Sequence, residues 1–155
     1  MRTSRPSRSR HEDLDRDRRS RGGDPEAAQT PEAAVEQSMR GYAAALKEGP
    51  PEAVAGWYTK DGELLLPGLA TMKGPEAIRA FLALMASAVE VESVAVTTDF
   101  VEVHGDSADL WGTYRQVAGE KGKPKQTYGG RYAALWHHEA DGKWRLARLM
   151  MQPGQ

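Results

Sequence analysis

Asp141-Gly142 sits between two alternating apolar runs, Gln126–His138 and Lys143–Met151. An Asp-Gly pair in that setting is a strong signal for a β-hairpin, because its tight turn needs residues that tolerate positive φ. The pattern extends upstream. His104-Gly105-Asp106 reads as a second hairpin turn, between the β-rich run Val89–Val103 and the run Ser107–Val117. The first of these runs is long enough to need a bend. Gly119–Lys125 reads as a charged loop leading into Gln126–His138. Four strands joined in this way build a mostly antiparallel sheet, and such a sheet must cover at least one face.

The segment before Val89 supplies helices for that cover. Thr30-Pro31-Glu32 is a helix start: a capping hydroxyl, a proline in the first turn and an acid at the positive end. Val35, Met39, Tyr42 and Leu46 follow at helical spacing. Gly49-Pro50-Pro51 ends that helix and opens a short second one, expected to finish near Trp57-Tyr58. Asp61-Gly62 turns the chain into a short strand, Glu63–Leu66, and Pro67-Gly68 ends it. A third helix opens at Gly74-Pro75-Glu76 and presents Ile78, Phe81, Leu82 and Met85 on one stripe. Helices followed by hairpin-linked strands give an α+β class.

Neither face of the last three strands is cleanly polar. One parity holds Trp111, Thr113, Arg115, Arg131, Ala133, Leu135, Ala147, Leu149 and Met151. The other holds Leu110, Gly112, Tyr114, Tyr132, Ala134, Trp136, Trp144, Leu146 and Met150. Large apolar groups on both sides require cover on both sides. The helices supply one cover, and a second copy of the chain is expected to supply the other.

Composition narrows the function classes. The 155 residues contain no cysteine, which excludes disulfide scaffolds, thiolate metal sites and cysteine nucleophiles. The net charge of −1 argues against nucleic acid as the main partner. No apolar run is long enough to span a membrane, and the arginine-rich start lacks the apolar core of a secretory signal. A cytoplasmic protein without membrane contact is the expectation. Residues 1–29 hold eight arginines and six acids with almost no large apolar side chains, so this segment is expected to be a disordered tail. The folded domain is expected over residues 30–155.

Several segments then carry a resemblance. They are Tyr42–Leu46 followed by Gly49, Trp57-Tyr58-Thr59-Lys60-Asp61-Gly62, and Met72-Lys73-Gly74-Pro75-Glu76-Ala77-Ile78-Arg79-Ala80-Phe81. After them come Val103–Ala108, Gly112-Thr113-Tyr114, Gly130–Trp136 and Asp141–Arg148. In this order they resemble the NTF2-like superfamily, in particular its SnoaL-like and DUF4440 groups, over residues 32–152. The resemblance implies a cone-shaped barrel, with three N-terminal helices packed on a curved, mostly antiparallel sheet and a deep apolar cavity at the wide end. It also suggests that the parity containing Trp111, Arg115 and Arg131 faces the cavity, and that the other parity forms a homodimer interface on the outer sheet face.

The catalytic set of the steroid isomerase branch is largely missing. Laid along the chain, its tyrosine falls on Tyr42, its base on Leu66 and its protonated acid near Ala133. Proton abstraction from carbon needs a carboxylate base, and Leu66 cannot serve. The other candidates are weak. Asp99 is the one acid inside a strand pattern, and it is equally a marker for a bulge. His11 lies in the tail, His104 in a hairpin turn, and His137 and His138 at a strand end. Adjacent strand residues point to opposite faces, so those two cannot share an ion, and no metal or cofactor is expected. No GxSxG elbow or P-loop occurs. Gly129-Gly130 reads as a bend. Arg115 and Arg131 either favour an anion in the cavity or pair at its rim with Glu90, Glu92 or Glu102.

Three functions fit. The first is a small-molecule-binding protein whose cavity is lined by Tyr42, Trp57, Leu66, Phe81, Trp111, Arg115, Arg131, Leu149 and Met151. It would take a small hydrophobic or aromatic molecule, and the arginines leave room for an anionic one. The second is an enzyme of the same fold, an isomerase, cyclase or hydrolase, using Tyr42 with Asp99 or an arginine. The third is a dimerising interaction module.

Overall fold

The computed structural model describes residues 29–154. The expectations for the arginine-rich tail and His11 lie outside the described residues. Helix α1, Pro31–Glu48, begins where Thr30 accepts a hydrogen bond from the Ala33 amide at 3.1 Å. Its buried stripe is Val35, Met39, Tyr42 and Ala43. Helix α2, Pro51–Ala55, follows the Gly49-Pro50 break, and α3 runs Gly74–Ala88. The strands are β1 (Tyr58–Leu65), β2 (Met72–Lys73), β3 (Val89–His104), β4 (Ser107–Glu120), β5 (Gln126–His138) and β6 (Trp144–Pro153).

These six strands form one curved, open sheet in the order β2-β1-β6-β5-β4-β3. It is mixed: β1 runs parallel to β6, and every other pair is antiparallel. The sheet does not close on itself, so the cone is an open one. The β1 boundary differs from expectation. Tyr58 starts a strand because it pairs with Leu146, and the Leu146 amide donates to the Trp57 carbonyl at 2.7 Å. The short β2 exists through its pairing with Glu63 and Leu64.

Three bulges shape the sheet. In β3 the register slips between Val91 and Ser93 and again between Thr98 and Phe100, leaving Glu92 and Asp99 as extra residues. Each slip resets the parity, so Val91, Val94, Val96, Val101 and Val103 all turn inward along one long strand. Asp99 thus marks a bulge. A third slip lies where Leu135 pairs with Arg148 and Trp136 with Leu146. It leaves Ala147 extra and lets Trp144, Leu146, Leu149 and Met151 turn inward in succession. Gly129-Gly130 carries no bulge: β4 and β5 pair through both residues without a slip. Gly130 is needed for close approach instead: a Cβ there would come within 2.3 Å of the Gln152 carbonyl oxygen.

The core lies between the helices and the concave face of the sheet. Its fully buried members include Val35, Ile78, Leu110, Trp136, Leu146 and Leu149. Each such aliphatic side chain contributes about 1.5–3 kcal/mol by leaving water. The expected parity is reversed on β4 and β5. Leu110, Tyr114, Tyr132, Ala134 and Trp136 face the core, while Trp111, Arg115, Arg131, Ala133 and Leu135 are exposed on the outer face. The charges mark the outer face. Arg115, Arg131 and Asp109 share that parity, and unpaired charges are rarely buried.

Candidate functional site

An apolar cavity of about 450 Å³ opens between α1, α3 and the concave face of the sheet. Tyr42 and Leu46 of α1 form one wall. Phe81, Leu82 and Met85 of α3 form another, and Leu64, Leu66, Val91, Tyr114 and Met151 line the floor. The mouth lies beside the C-terminal half of α3, where Leu84 and Met85 are exposed, and beside the exposed Tyr128 of β5. Lys47 is the one charged side chain among the described lining residues, and neither a carboxylate nor an imidazole belongs to that lining.

The expected site residues divide into three sets. Tyr42, Leu66, Phe81 and Met151 share the cavity lining. Leu149 is buried in the core beside them, at 1% exposure. Trp57 lies elsewhere. Its ring packs over Gly41, where a Cβ would meet it at 2.7 Å, and stands edge-on to Trp136 at 6.4 Å. It lines a separate depression between α1, α2 and the β5–β6 turn. Trp111, Arg115 and Arg131 are corrected to the outer face, where they cannot reach the cavity through the sheet. The suggested rim pairs of the arginines do not form: Glu90 pairs with Lys125 and Glu102 with His104. Lining residues missed in the sequence, such as Tyr114 and Val91, follow from the reversed parity and the first β3 bulge.

Tyr42 of the cavity lining belongs to a buried tyrosine pair that continues into the core. The hydroxyls of Tyr42 and Tyr58 are hydrogen-bonded at 2.7 Å, and their rings meet edge to face at 5.7 Å. Both side chains are buried. Burial pushes the pKa of Tyr42 up to about 12, with the Tyr58 hydroxyl opposing the shift. Burial also holds Tyr58 well above the ordinary value, reinforced by the neighbouring Tyr42. Both groups are therefore neutral at physiological pH, able to share protons in hydrogen bonds but not to act as bases.

The sign of this shift sets a pH dependence. An unfolded tyrosine ionises near pH 10, whereas the folded pair keeps its protons to higher pH. The stability it contributes is full below pH 10 and is lost as pH rises through 12. The melting temperature should fall across that window, and less so in Tyr42→Phe and Tyr58→Phe. Thermal melts of the three proteins check this, and equal losses in all three would contradict it.

Asp99 does not join Tyr42. It is exposed at its bulge and is not part of the cavity lining. Ala133 is on the outer face, and its inward neighbours Tyr132 and Ala134 supply no acid. The Tyr132 hydroxyl instead donates to the Thr97 carbonyl at 3.1 Å. His104 and His137 are exposed, and His138 stacks on Trp144 at 4.8 Å, away from the cavity. Among the described residues, no helix is long and apolar enough to cross a membrane.

Comparison with known proteins agrees with this architecture. A ketosteroid isomerase-like protein from Erwinia carotovora atroseptica SCRI1043 is similar, with a TM-score of 0.74 at 20% identity, over 83% of this chain and 99% of that one. A candidate scytalone dehydratase from Novosphingobium aromaticivorans DSM 12444 is similar with a TM-score of 0.65 at 20% identity, over 79% and 83% of the two chains. A candidate calcium/calmodulin-dependent protein kinase II association domain from Xanthomonas campestris gives 0.66 at 23% identity, over 79% and 86%. At such identities the likeness concerns the fold alone. No curated protein matches the chain. Residues 29–150 match the SnoaL-like domain, and the chain therefore belongs to that family.

Proposed function

We propose that the protein binds a small, neutral, hydrophobic or aromatic molecule in the cavity between α1, α3 and the sheet. The observation that carries this is the character of the cavity: about 450 Å³, walled by Leu46, Leu66, Phe81, Leu82 and Met151, with the uncharged Tyr42, Tyr114, Tyr128 and Gln116 and one lysine, Lys47, as its polar groups. Concave apolar walls with a few fixed polar groups are the usual form of a small-molecule site. A hydroxyl or carbonyl on the ligand would meet Tyr42, whose hydroxyl is backed by Tyr58. The arginines that favoured an anion lie on the other side of the sheet, and the one cation of the lining, Lys47, is exposed to solvent, so the apolar walls favour a neutral ligand. Catalysis by carbon deprotonation has no carboxylate or imidazole base among the described lining residues. The names of the structural relatives span isomerase-like, dehydratase and association-domain proteins, so the choice rests on this cavity.

The outer face supports a homodimer. Phe100 and Trp111 stack there with centroids 4.1 Å apart, both exposed, and Leu135 is exposed beside them. A second copy covering this patch would remove it from water. Light scattering should then give twice the chain mass, and Trp111→Glu should give a monomer that keeps its melting profile. A monomeric wild type at high concentration would refute the interface.

Native mass spectrometry of freshly expressed protein tests the cavity. A retained small molecule, lost on blocking the cavity, is the expected result. A protein that carries no molecule and takes up no neutral aromatic probe would overturn the proposal.

A further inference from the structure

Glu102 and His104 lie two residues apart on β3, and Asp109 stands opposite Glu102 on β4. Residues at this spacing share one face of a strand, so the three side chains meet on the outer side of the β3–β4 hairpin. His104 Nε2 is 2.9 Å from a Glu102 carboxylate oxygen and 3.7 Å from one of Asp109. The three donor atoms all lie within 4.8 Å of one another. Nitrogen and oxygen donors bind a first-row ion at about 2.0–2.2 Å, which sets them about 3.0–3.5 Å apart. Small side-chain rotations bring this cluster to that spacing.

Electrostatics points the same way. Like charges on directly opposed strand residues repel, and Glu102 and Asp109 are so placed. Among the described residues, neither carboxylate pairs with a lysine or arginine, and His104 is their one basic contact. Nearby Arg148 is engaged by Glu63 at 2.8 Å. A divalent cation between the two carboxylates removes the repulsion, and a neutral imidazole supplies a third donor.

We propose that Glu102, His104 and Asp109 form a surface site for a first-row divalent cation of the Zn²⁺ type. One imidazole and two carboxylates suit such an ion better than the softer or purely oxygen-seeking metals. The Glu-x-His spacing on one strand, completed by an aspartate across the hairpin, escapes a search for paired histidines. Three donors leave the remaining positions to water. Glu102 and His104 are exposed and Asp109 partly so, which makes this a weak site. The site lies across the sheet from the cavity, so its fate is independent of the ligand proposal; it borders the Phe100–Trp111 patch, since Glu102 follows Phe100 by two residues and Asp109 pairs with Leu135.

Calorimetric titration of the untagged protein with Zn²⁺ tests it. One ion per chain is expected, with affinity reduced about tenfold or more in both His104→Ala and Asp109→Asn. His104 is exposed and Asp109 partly so, and thermal melts check that each variant remains folded. Absence of saturable binding in the wild type would overturn the proposal. So would undiminished binding in either variant, which would place zinc on other residues such as His137 and His138.

Discussion

Gly112→Ala is expected to destabilise the fold severely. Gly112 is buried in β4, opposite Thr98 and next to the Asp99 bulge. A Cβ at this position would stand 1.8 Å from the Thr97 carbonyl oxygen and 2.8 Å from its carbon. Those atoms are backbone inside a paired strand, so no side chain can rotate away. Relief requires β3 to move off β4, which breaks ladder hydrogen bonds and shifts the inward valines downstream of the bulge. The loss is expected to exceed about 4 kcal/mol, against a total stability of about 5–15 kcal/mol for an ordinary domain. Gly122→Ala is the control. Gly122 has φ +81 but open space around it, so the loss there is only about 1–2 kcal/mol. Chemical denaturation of both variants measures the difference. A Gly112→Ala protein as stable as Gly122→Ala would show that the bulge does not hold the two strands this closely.

The second large effect concerns the cavity. Leu66→Arg is expected to lower the affinity for a neutral aromatic probe such as 2-naphthol by about 100-fold. Leu66 follows β1 and is half-buried in the cavity wall. A guanidinium there would occupy the volume of the ligand. It would also meet no carboxylate among the described lining residues, and Lys47 would add a like charge. Arg115→Ala and Arg131→Ala on the outer face should leave probe affinity unchanged. If those two variants lost binding and Leu66→Arg kept it, the ligand would belong to the outer face instead.

The contrast between these sites shows what the chain makes legible. The hairpins of the second half were readable because turn chemistry is local. Asp141-Gly142 and His104-Gly105-Asp106 lie at the strand ends of the structure, and β3, β5 and β6 begin within one residue of expectation. Helix α1 was readable from Thr30-Pro31 for the same reason. β1 and β2 were less so, because Tyr58 and Met72 become strand residues through partners far along the chain.

The facing of β4 and β5 depended on what the sheet packs against, and both parities carry aromatic residues. The charged Arg115, Arg131 and Asp109 were the available signal, and they mark the exposed side. Bulges at Glu92, Asp99 and Ala147 shift parity in mid-strand, so no single alternation describes β3 or β6. The cavity wall was legible where it came from helices and the β1 end, in Tyr42, Phe81 and Leu66. It was not legible where it came from Tyr114, whose inward direction is set by the sheet as a whole. The partner of Tyr42 was also hidden, because Tyr58 was assigned to a helix end.

On the proposed function, the apolar cavity rather than the outer face receives the ligand. Nuclear magnetic resonance of the protein titrated with 2-naphthol tests it most directly. Saturable shifts are expected in the side-chain signals of Leu66, Phe81, Met151 and Tyr42, with Trp57, Arg115 and Arg131 unmoved. Shifts confined to Trp111, Arg115 and Arg131, with the cavity signals unmoved at saturation, would contradict it.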